Sequence, residues 1–520
     1  MPPGASTSLL SLPQEVLERC LSLCDQRTRA GVLPLVCRAF RRLLAGPSAC
    51  LWASIAFTAD LSAPGQAQRA SAFLAWLARH GALSKSVEVD LWSGAMNGPA
   101  AFPPGLPLGE HLEDALQECV GACEYLRLRW GGQQLVVGEW IAGARSLTCL
   151  AVSAHDMVVH ADLAALTTLD HLEISTSSDN GPLLYPGCLP ASLTRLCCVP
   201  APAEQPAPDG LGPAISAMPE QLLALPRLRY LDVSESWFDR SHLETALPRL
   251  TLLTSLALDK CELPDGLPPQ LSLLTRLRVL SFDGCAVVEG HPLSPVAWTV
   301  LGALTSLLSL SLSNCSLLQL PASVATLPRM QHLYLEYNSI RALPAGPYLS
   351  HLRMLSLDWE PLLRCHGMLL QQAPNIRKLA MGNMSIYTHD AQGLPPLSSS
   401  QALLATLRQQ TALQEILLIT RPTHMHGACA PVLEALLDLR TLRPGLTVQP
   451  IEHDAFFVED APEEEPTDAA AHPAAGLDAV GQPGGRAAAN SGGAGVAGGA
   501  AVPGTQAAAV AAAAAVHEGG

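Results

Sequence analysis

Residues 253–261 read Leu-Thr-Ser-Leu-Ala-Leu-Asp-Lys-Cys. Apolar residues stand at offsets 0, 3 and 5 (Leu253, Leu256, Leu258), and a thiol stands at offset 8 (Cys261). The same spacing returns at Leu277, Leu280, Phe282 and Cys285, at Leu307, Leu310, Leu312 and Cys315, and at Met330, Leu333, Leu335 and Asn338. Successive copies begin at Leu228, Leu253, Leu277, Leu307, Met330, Leu352 and Ile376, in steps of 25, 24, 30, 23, 22 and 24 residues. A fixed period in this range predicts a stacked solenoid, each copy burying its apolar face against its neighbours. Offsets 3 and 5 lie on one face of a short strand, and the residues between them point outward.

This L-x-x-L-x-L-x-x-N/C pattern resembles the leucine-rich repeat family. The resemblance implies an α/β fold: a curved parallel sheet on the concave side and helical or irregular segments on the convex side. Leu317, Leu320, Ile340 and Leu343 supply the return segments. Weaker copies precede the regular ladder, at Val87, Val89 and Leu91, at Leu126 and Leu128, at Leu147, Leu150 and Val152, at Leu169, Leu172 and Ile174, and at Leu193, Leu196 and Cys198. Two more follow, at Leu413, Ile416 and Leu418 and at Leu442, Leu446 and Val448, so about a dozen coils are expected. The Pro-rich segment 199–213 reads as a protruding loop.

Ahead of the repeat, Ser11 followed by Leu12, Pro13 and Glu15 is a helix start. Val16, Leu17, Cys20 and Leu21 then give an apolar helical face. A second helical stretch carries Val36, Cys37, Arg38 and Phe40, Gly46-Pro47 ends it, and Leu51-Trp52 follow. The order Leu-Pro-x-Glu, Val-Cys-Arg with an aromatic three residues after the Cys, and Leu-Trp resembles an F-box over roughly Leu10–Phe57. Ala39-Phe40 replace the family's usual Trp or Lys-Arg-Trp residues. The resemblance implies a three-helix module that docks on the Skp adaptor of a cullin–RING ubiquitin ligase, with Leu12, Pro13, Glu15, Val16, Leu17, Val36, Cys37 and Phe40 as contacts. The alternative is a helical pair that seals the first coil.

The expected organisation is a helical module at 8–57, irregular coils at 58–225, regular coils at 226–450 and a disordered Ala/Gly-rich tail at 461–520. Aromatic residues make up 4% of the chain, against Gly 40 and Pro 43, which suits leucine-based stacking with many turns. The formal net charge of -15 and the lack of a basic stripe argue against nucleic acid as the main ligand. No apolar stretch is long enough to span a bilayer, so no membrane partner is expected. The 15 Cys are scattered, several of them at apolar repeat positions, which points to a reducing cytoplasmic or nuclear compartment. The N-terminus lacks a secretory pattern. An Arg-, Ala- and Ser-rich transit peptide is a minor alternative, opposed by Glu15, Glu18 and Asp25.

No nucleotide-binding loop, nucleophile elbow or metalloprotease motif occurs, so no catalytic residues and no cofactor are expected. Cys20/Cys24 and Cys119/Cys123 read as packing residues on apolar faces, and His424, His426 and Cys429 lack a fourth metal ligand. The outward positions instead suggest a recognition surface. Asp259, Asp283, Ser313, Glu336 and Asp358 would form an acidic row on the concave face, beside Lys260, Gly284, Asn314, Tyr337 and Trp359. With His332 and Tyr334, this row (Asp259, Asp283, Glu336, Tyr337, Asp358, Trp359) would hold a protein substrate through a basic segment. The sequence therefore suggests a substrate-recognition adaptor of the ligase; the rival is a repeat scaffold without a ligase link. A small-molecule-gated receptor is a third reading, for which no basic pocket is evident.

Overall fold

The structure is a computed structural model. It describes residues 14–24, 26, 28–29, 51–92, 108–176, 188–200, 222, 225–235, 240–261, 267–285, 295–338, 340, 343–358, 368–382, 404–420, 436, 439–441, 443 and 445–452. The chain divides into 1–462 and 463–520, and every described residue belongs to the first unit. Among the described residues there is one sheet of 15 strands, whose spatial order is the chain order. Every strand pairs in parallel with the next. Parallel neighbours in chain order require a return segment in each coil, and this is the leucine-rich-repeat solenoid.

The strands are β1 (Ser54–Asp60), β2 (Ser86–Trp92), β3 (Tyr125–Val137), β4 (Cys149–Val159), β5 (His171–Thr176), β6 (Arg195–Pro200), β7 (Tyr230–Asp232), β8 (Ser255–Ala257), β9 (Val279–Ser281), β10 (Ser309–Ser311), β11 (His332–Tyr334), β12 (Met354–Asp358), β13 (Lys378–Gly382), β14 (Glu415–Thr420) and β15 (Thr447–Glu452). One inward residue per strand stays in register throughout. Ile55, Val87, Leu126, Leu150, Leu172, Leu196 and Leu231 continue through Leu256, Leu280, Leu310, Leu333, Leu355, Leu379 and Ile416 to Val448. All are buried in one continuous core. Burying each such side chain contributes about 1.5–3 kcal/mol. β6 pairs directly with β7, so the sheet crosses 225/226 without interruption.

β1 lies at residues expected to close the helical module. Ile55 and Ala59 are buried and Phe57 is half-buried, alternating with exposed Ser54, Ala56 and Thr58. That period of two is strand chemistry, and it makes the first coil begin before residue 57. β3 and β4 are longer than one repeat strand, with a register shift between Trp130 and Gln134 at the Gly131-Gly132 step.

From β7 to β11 the strands are only three residues long, and a left-handed residue stands three positions beyond each last strand residue. Glu235, Lys260, Gly284, Asn314 and Tyr337 have φ of 61°, 55°, 66°, 55° and 56°. Four of their N–H groups donate to a carbonyl of the next coil: Glu235 to Asp259 (2.6 Å), Lys260 to Asp283 (2.6 Å), Gly284 to Ser313 (2.8 Å) and Asn314 to Glu336 (2.8 Å). The strand thus turns inward without stranding its donors.

The offset-8 residue then closes the corner. Cys261 Sγ donates to Val233 O (3.3 Å), Cys285 Sγ to Leu258 O (3.0 Å) and Cys315 Sγ to Phe282 O (2.9 Å). Asn338 does more. Its Nδ2 donates to Leu312 O (2.7 Å) and Leu335 O (3.0 Å), and its Oδ1 accepts from the N–H of Cys315 (3.1 Å) and Leu317 (3.0 Å). Return segments are short 3-10 or α turns begun by proline, as at Pro269–Leu273, Ala322–Ala325 and Tyr348–His351. The first two coils carry full helices, α2 (Gln66–His80) and α3 (Leu108–Cys119).

Helix α1 (Gln14–Ser22) lies ahead of the sheet. Leu17, expected as a partner contact, is 6% exposed, and Leu21 is 3% exposed. Both belong to the core that continues through Leu51 and Trp52 into the coils, because they occupy the apolar face of α1. Arg29 donates to Leu51 O and lies 5.5 Å over the Trp52 ring, and Trp52 meets Trp76 edge-on at 4.8 Å. Gln26 Oε1 accepts the Ala56 N–H on edge strand β1 at 2.7 Å. Leu12, Pro13, Val36, Cys37 and Phe40, and the side chains of Glu15 and Val16, lie outside the described residues. So do residues 201–213 of the Pro-rich segment, His424, His426, Cys429 and the tail. Cys119 and Cys123 are buried as expected of packing residues, whereas Cys20, at the edge of the α1 apolar face, is exposed.

Candidate functional site

The candidate site is the outer face of the sheet, opposite the core. Its two ends differ in what the side chains already bind.

From β7 to β13 the expected acidic row is present in order, but it is a hydrogen-bonded ladder. Asp232 Oδ1 accepts from Ser234 N–H (3.1 Å) and Oγ (2.6 Å). Asp259 Oδ1 accepts from Ser281 Oγ (2.6 Å) and the Asp283 N–H (2.7 Å). Asp283 Oδ1 accepts from Ser311 Oγ (2.5 Å) and the Ser313 N–H (2.7 Å). Glu336 accepts from the hydroxyls of Ser313 and Ser356. Asp358 accepts from the N–H groups of Tyr337 (3.0 Å) and Asn338 (3.1 Å). Asp232 thus serves the turn of its own coil, Asp259, Asp283 and Asp358 serve backbone donors of an adjacent coil, and Glu336 bridges serines of the coils on either side.

Glu336 is 1% exposed, Asp358 5% and Tyr334 7%. These three were expected to face a partner; they are instead buried. Tyr334 joins Met354, Ala380 and Leu417 in a second apolar cluster separate from the main core. Burial, followed by the Asp259 charge, pushes the Asp283 carboxyl well above the usual carboxylate range, and burial also raises Asp259. His332 is half-buried and in register between Ser309 and Met354. Tyr337 holds a left-handed turn, and Trp359 lies outside the described residues.

From β2 to β6 the outer face is more open, with Arg127, Arg129 and Arg195 exposed between half-buried side chains. One register row runs Tyr125, Cys149, His171, Arg195 and Tyr230 across five consecutive strands. Arg195 is exposed, and its guanidinium lies 4.7 Å over the Tyr230 ring. Cys149 Sγ is 3.5 Å from His171 Nδ1. Burial pushes the Cys149 thiol up to about 11, and burial followed by Arg195 lowers His171, so the pair is a neutral thiol against a neutral imidazole. That pairing lacks the thiolate a cysteine nucleophile needs. Arg127 and Arg129, both exposed, stand on β3 opposite Glu88 and Asp90 of β2.

The repeat template alone did not reveal these arginines, because its register is weak in the early coils. The alternation in Tyr125-Leu-Arg-Leu-Arg-Trp130 is the signal that finds them: Leu126 and Leu128 are buried and both arginines point out.

No family model matches the chain, and no curated protein matches it. Among solved structures, it is similar to an internalin from Listeria monocytogenes, at 17% identity over 65% of this chain and 82% of that one, with a TM-score of 0.38. It is also similar to a leucine-rich-repeat protein of Leptospira interrogans, at 14% identity over 71% of this chain and 84% of that one, with a TM-score of 0.33. The fold assignment rests on the chain's own repeat and sheet: a leucine-rich-repeat solenoid whose outer face is open at one end and self-engaged at the other.

Proposed function

We propose that the chain is a repeat-based protein-binding scaffold that serves as a substrate-recognition adaptor of a cullin–RING ubiquitin ligase. The N-terminal segment would engage a Skp-type adaptor, and the open outer face would hold the substrate. The observation that carries this reading is the order Leu12-Pro13-x-Glu15, Val36-Cys37-Arg38 and Leu51-Trp52 immediately ahead of the first coil. The helical conformation of Gln14–Ser22 is consistent with it, as is the burial of Leu51 and Trp52 at the junction with β1. The contribution to the reaction is proximity, so no side chain of this chain need form a covalent bond. Buried thiols with raised pKa suit a cytoplasmic or nuclear setting.

A second reading, a scaffold without a ligase link, is favoured by the burial of Leu17 and Leu21. Those contacts make α1 a cap on the coil stack. Pull-down of the full chain with a purified Skp adaptor separates the two. Capture that is lost in a Leu12→Ala/Pro13→Ala variant supports the adaptor. Failure of the intact, folded chain to capture Skp overturns the adaptor and leaves the scaffold.

A further inference from the structure

We infer that the outer face of β3–β6 docks an extended acidic segment of a partner protein, gripped by Arg127 and Arg129 at one side and by Arg195 at the other. This rests on the scaffold reading above and reverses the partner charge that the acidic row alone suggests.

Three features of the face lead there. First, the carboxylates of β7–β13 are taken up by backbone amides and serines, so a basic partner finds few free acceptors there. Second, Arg127, Arg129 and Arg195 are the exposed cations at the outward strand positions of β3–β6. Among the described residues, salt bridges join Lys85–Glu124, Lys260–Glu235 and Lys378–Glu415, and none involves Arg127, Arg129 or Arg195. Third, Arg195 is pre-oriented. Its guanidinium carbon lies 4.7 Å over the Tyr230 ring, a cation–π contact that restricts the side chain, so less entropy is lost when a carboxylate docks.

The neighbouring row residue extends this donor array. His171, whose Nδ1 lies 3.5 Å from the Cys149 thiol, is in register with Arg195 and has its second ring nitrogen for a docked group. Tyr125 and Tyr230 end the row with hydroxyls and ring faces suited to a docked backbone.

The interleaved acids set the spacing. Glu88 and Asp90 border the β3 arginines on the β2 side, and Glu173 on β5 and Asp232 on β7 flank β6. A partner carboxylate is repelled from β2, β5 and β7 and attracted to β3 and β6. Those strands are three steps apart, about 14 Å, which is the reach of about four extended residues. The preferred segment thus carries acidic residues about four apart, with no charge requirement between them.

The test uses the full chain and fluorescein-labelled Gly/Ser peptides bearing Glu at every fourth position, with matched Lys peptides and peptides with adjacent Glu pairs. Anisotropy should show binding of the spaced Glu peptide. It should weaken about tenfold in Arg195→Gln and in Arg127→Gln/Arg129→Gln, and weaken as salt rises from low to physiological strength. Arg195→Lys, which keeps charge but loses the planar fork, should fall between. All three residues are exposed, so unchanged unfolding temperatures should confirm folded variants. Absence of Glu-peptide binding, equal binding by the variants, or preference for the Lys peptide would overturn the inference. Skp capture is read separately, so its success beside failed peptide binding overturns only this surface.

Discussion

The carboxylate of Asp283 accepts the backbone N–H of Ser313, one coil further on, at 2.7 Å. The same Oδ1 takes the hydroxyl of Ser311. Replacing Asp283 by Ala leaves both donors without that acceptor. The expected loss is about 1–2 kcal/mol, partly offset by relief of repulsion from Asp259, and denaturant unfolding measures it.

The same ladder makes stability depend on pH. The folded carboxyls of Asp259 and Asp283 are raised above their unfolded values, chiefly by burial. Such groups contribute most when protonated, below about pH 4, and that contribution is lost as pH rises through their folded pKa. His171 and His80, both lowered chiefly by burial, work in the opposite direction as pH falls below their ordinary 6.5. The decisive quantity is therefore a difference. Thermal unfolding of the native chain minus that of Asp259→Asn/Asp283→Asn should become more favourable to the native chain on going from pH 7 to pH 5. A difference independent of pH would show that the ladder carboxyls titrate normally.

Gly284 tests the left-handed corner. Its φ is +66°, and a Cβ there would lie 2.9 Å from Lys260 Cγ. Gly284→Ala should cost about 1–2 kcal/mol through the backbone alone. Asn314→Gly, at the equivalent corner of the next coil, should stay within about 0.5 kcal/mol of the native chain.

Asn338 occupies the corner that Cys261, Cys285 and Cys315 fill in the preceding regular coils. Asn338→Ala strands two buried carbonyls and two buried N–H groups, and should cost about 2–4 kcal/mol. Asn338→Cys should recover part of that, because a thiol at this corner can donate to the preceding coil, as Cys315 Sγ does to Phe282 O.

Much of this was legible in the sequence. The register from Leu231 to Leu379 follows directly from the offset-3 leucines, since each must enter the same core layer. The outward position of Asp259, Asp283, Glu336 and Asp358 was legible too. Their occupancy was not. Whether an outward carboxylate is free depends on backbone donors of the adjoining coil, and these become visible only once the strand ends after three residues in a left-handed turn. Leu17 shows the same limit. Helical spacing marks it as apolar-faced, but the same face serves a partner or the chain's own core, and only packing decides. β1 was absorbed into the helical module because Ile55 and Phe57 form too short an alternation to separate from the Leu-Trp signature before them.

The N-terminal helix gives a further contrast. Leu17→Ala should destabilise the first coil by about 2–3 kcal/mol, whereas Leu23→Ala, at 85% exposure, should leave stability unchanged. Equal effects would place α1 off the core.

The most direct measurement compares two variant sets by unfolding temperature and by binding of the spaced Glu peptide. Arg127→Gln/Arg129→Gln/Arg195→Gln should keep its unfolding temperature and lose peptide binding. Asp283→Ala/Asp358→Ala should lose unfolding temperature and keep binding. The reverse pattern, with stability carried by the arginines and recognition by the carboxylates, would contradict the division of the outer face into an open docking end and a self-engaged structural end.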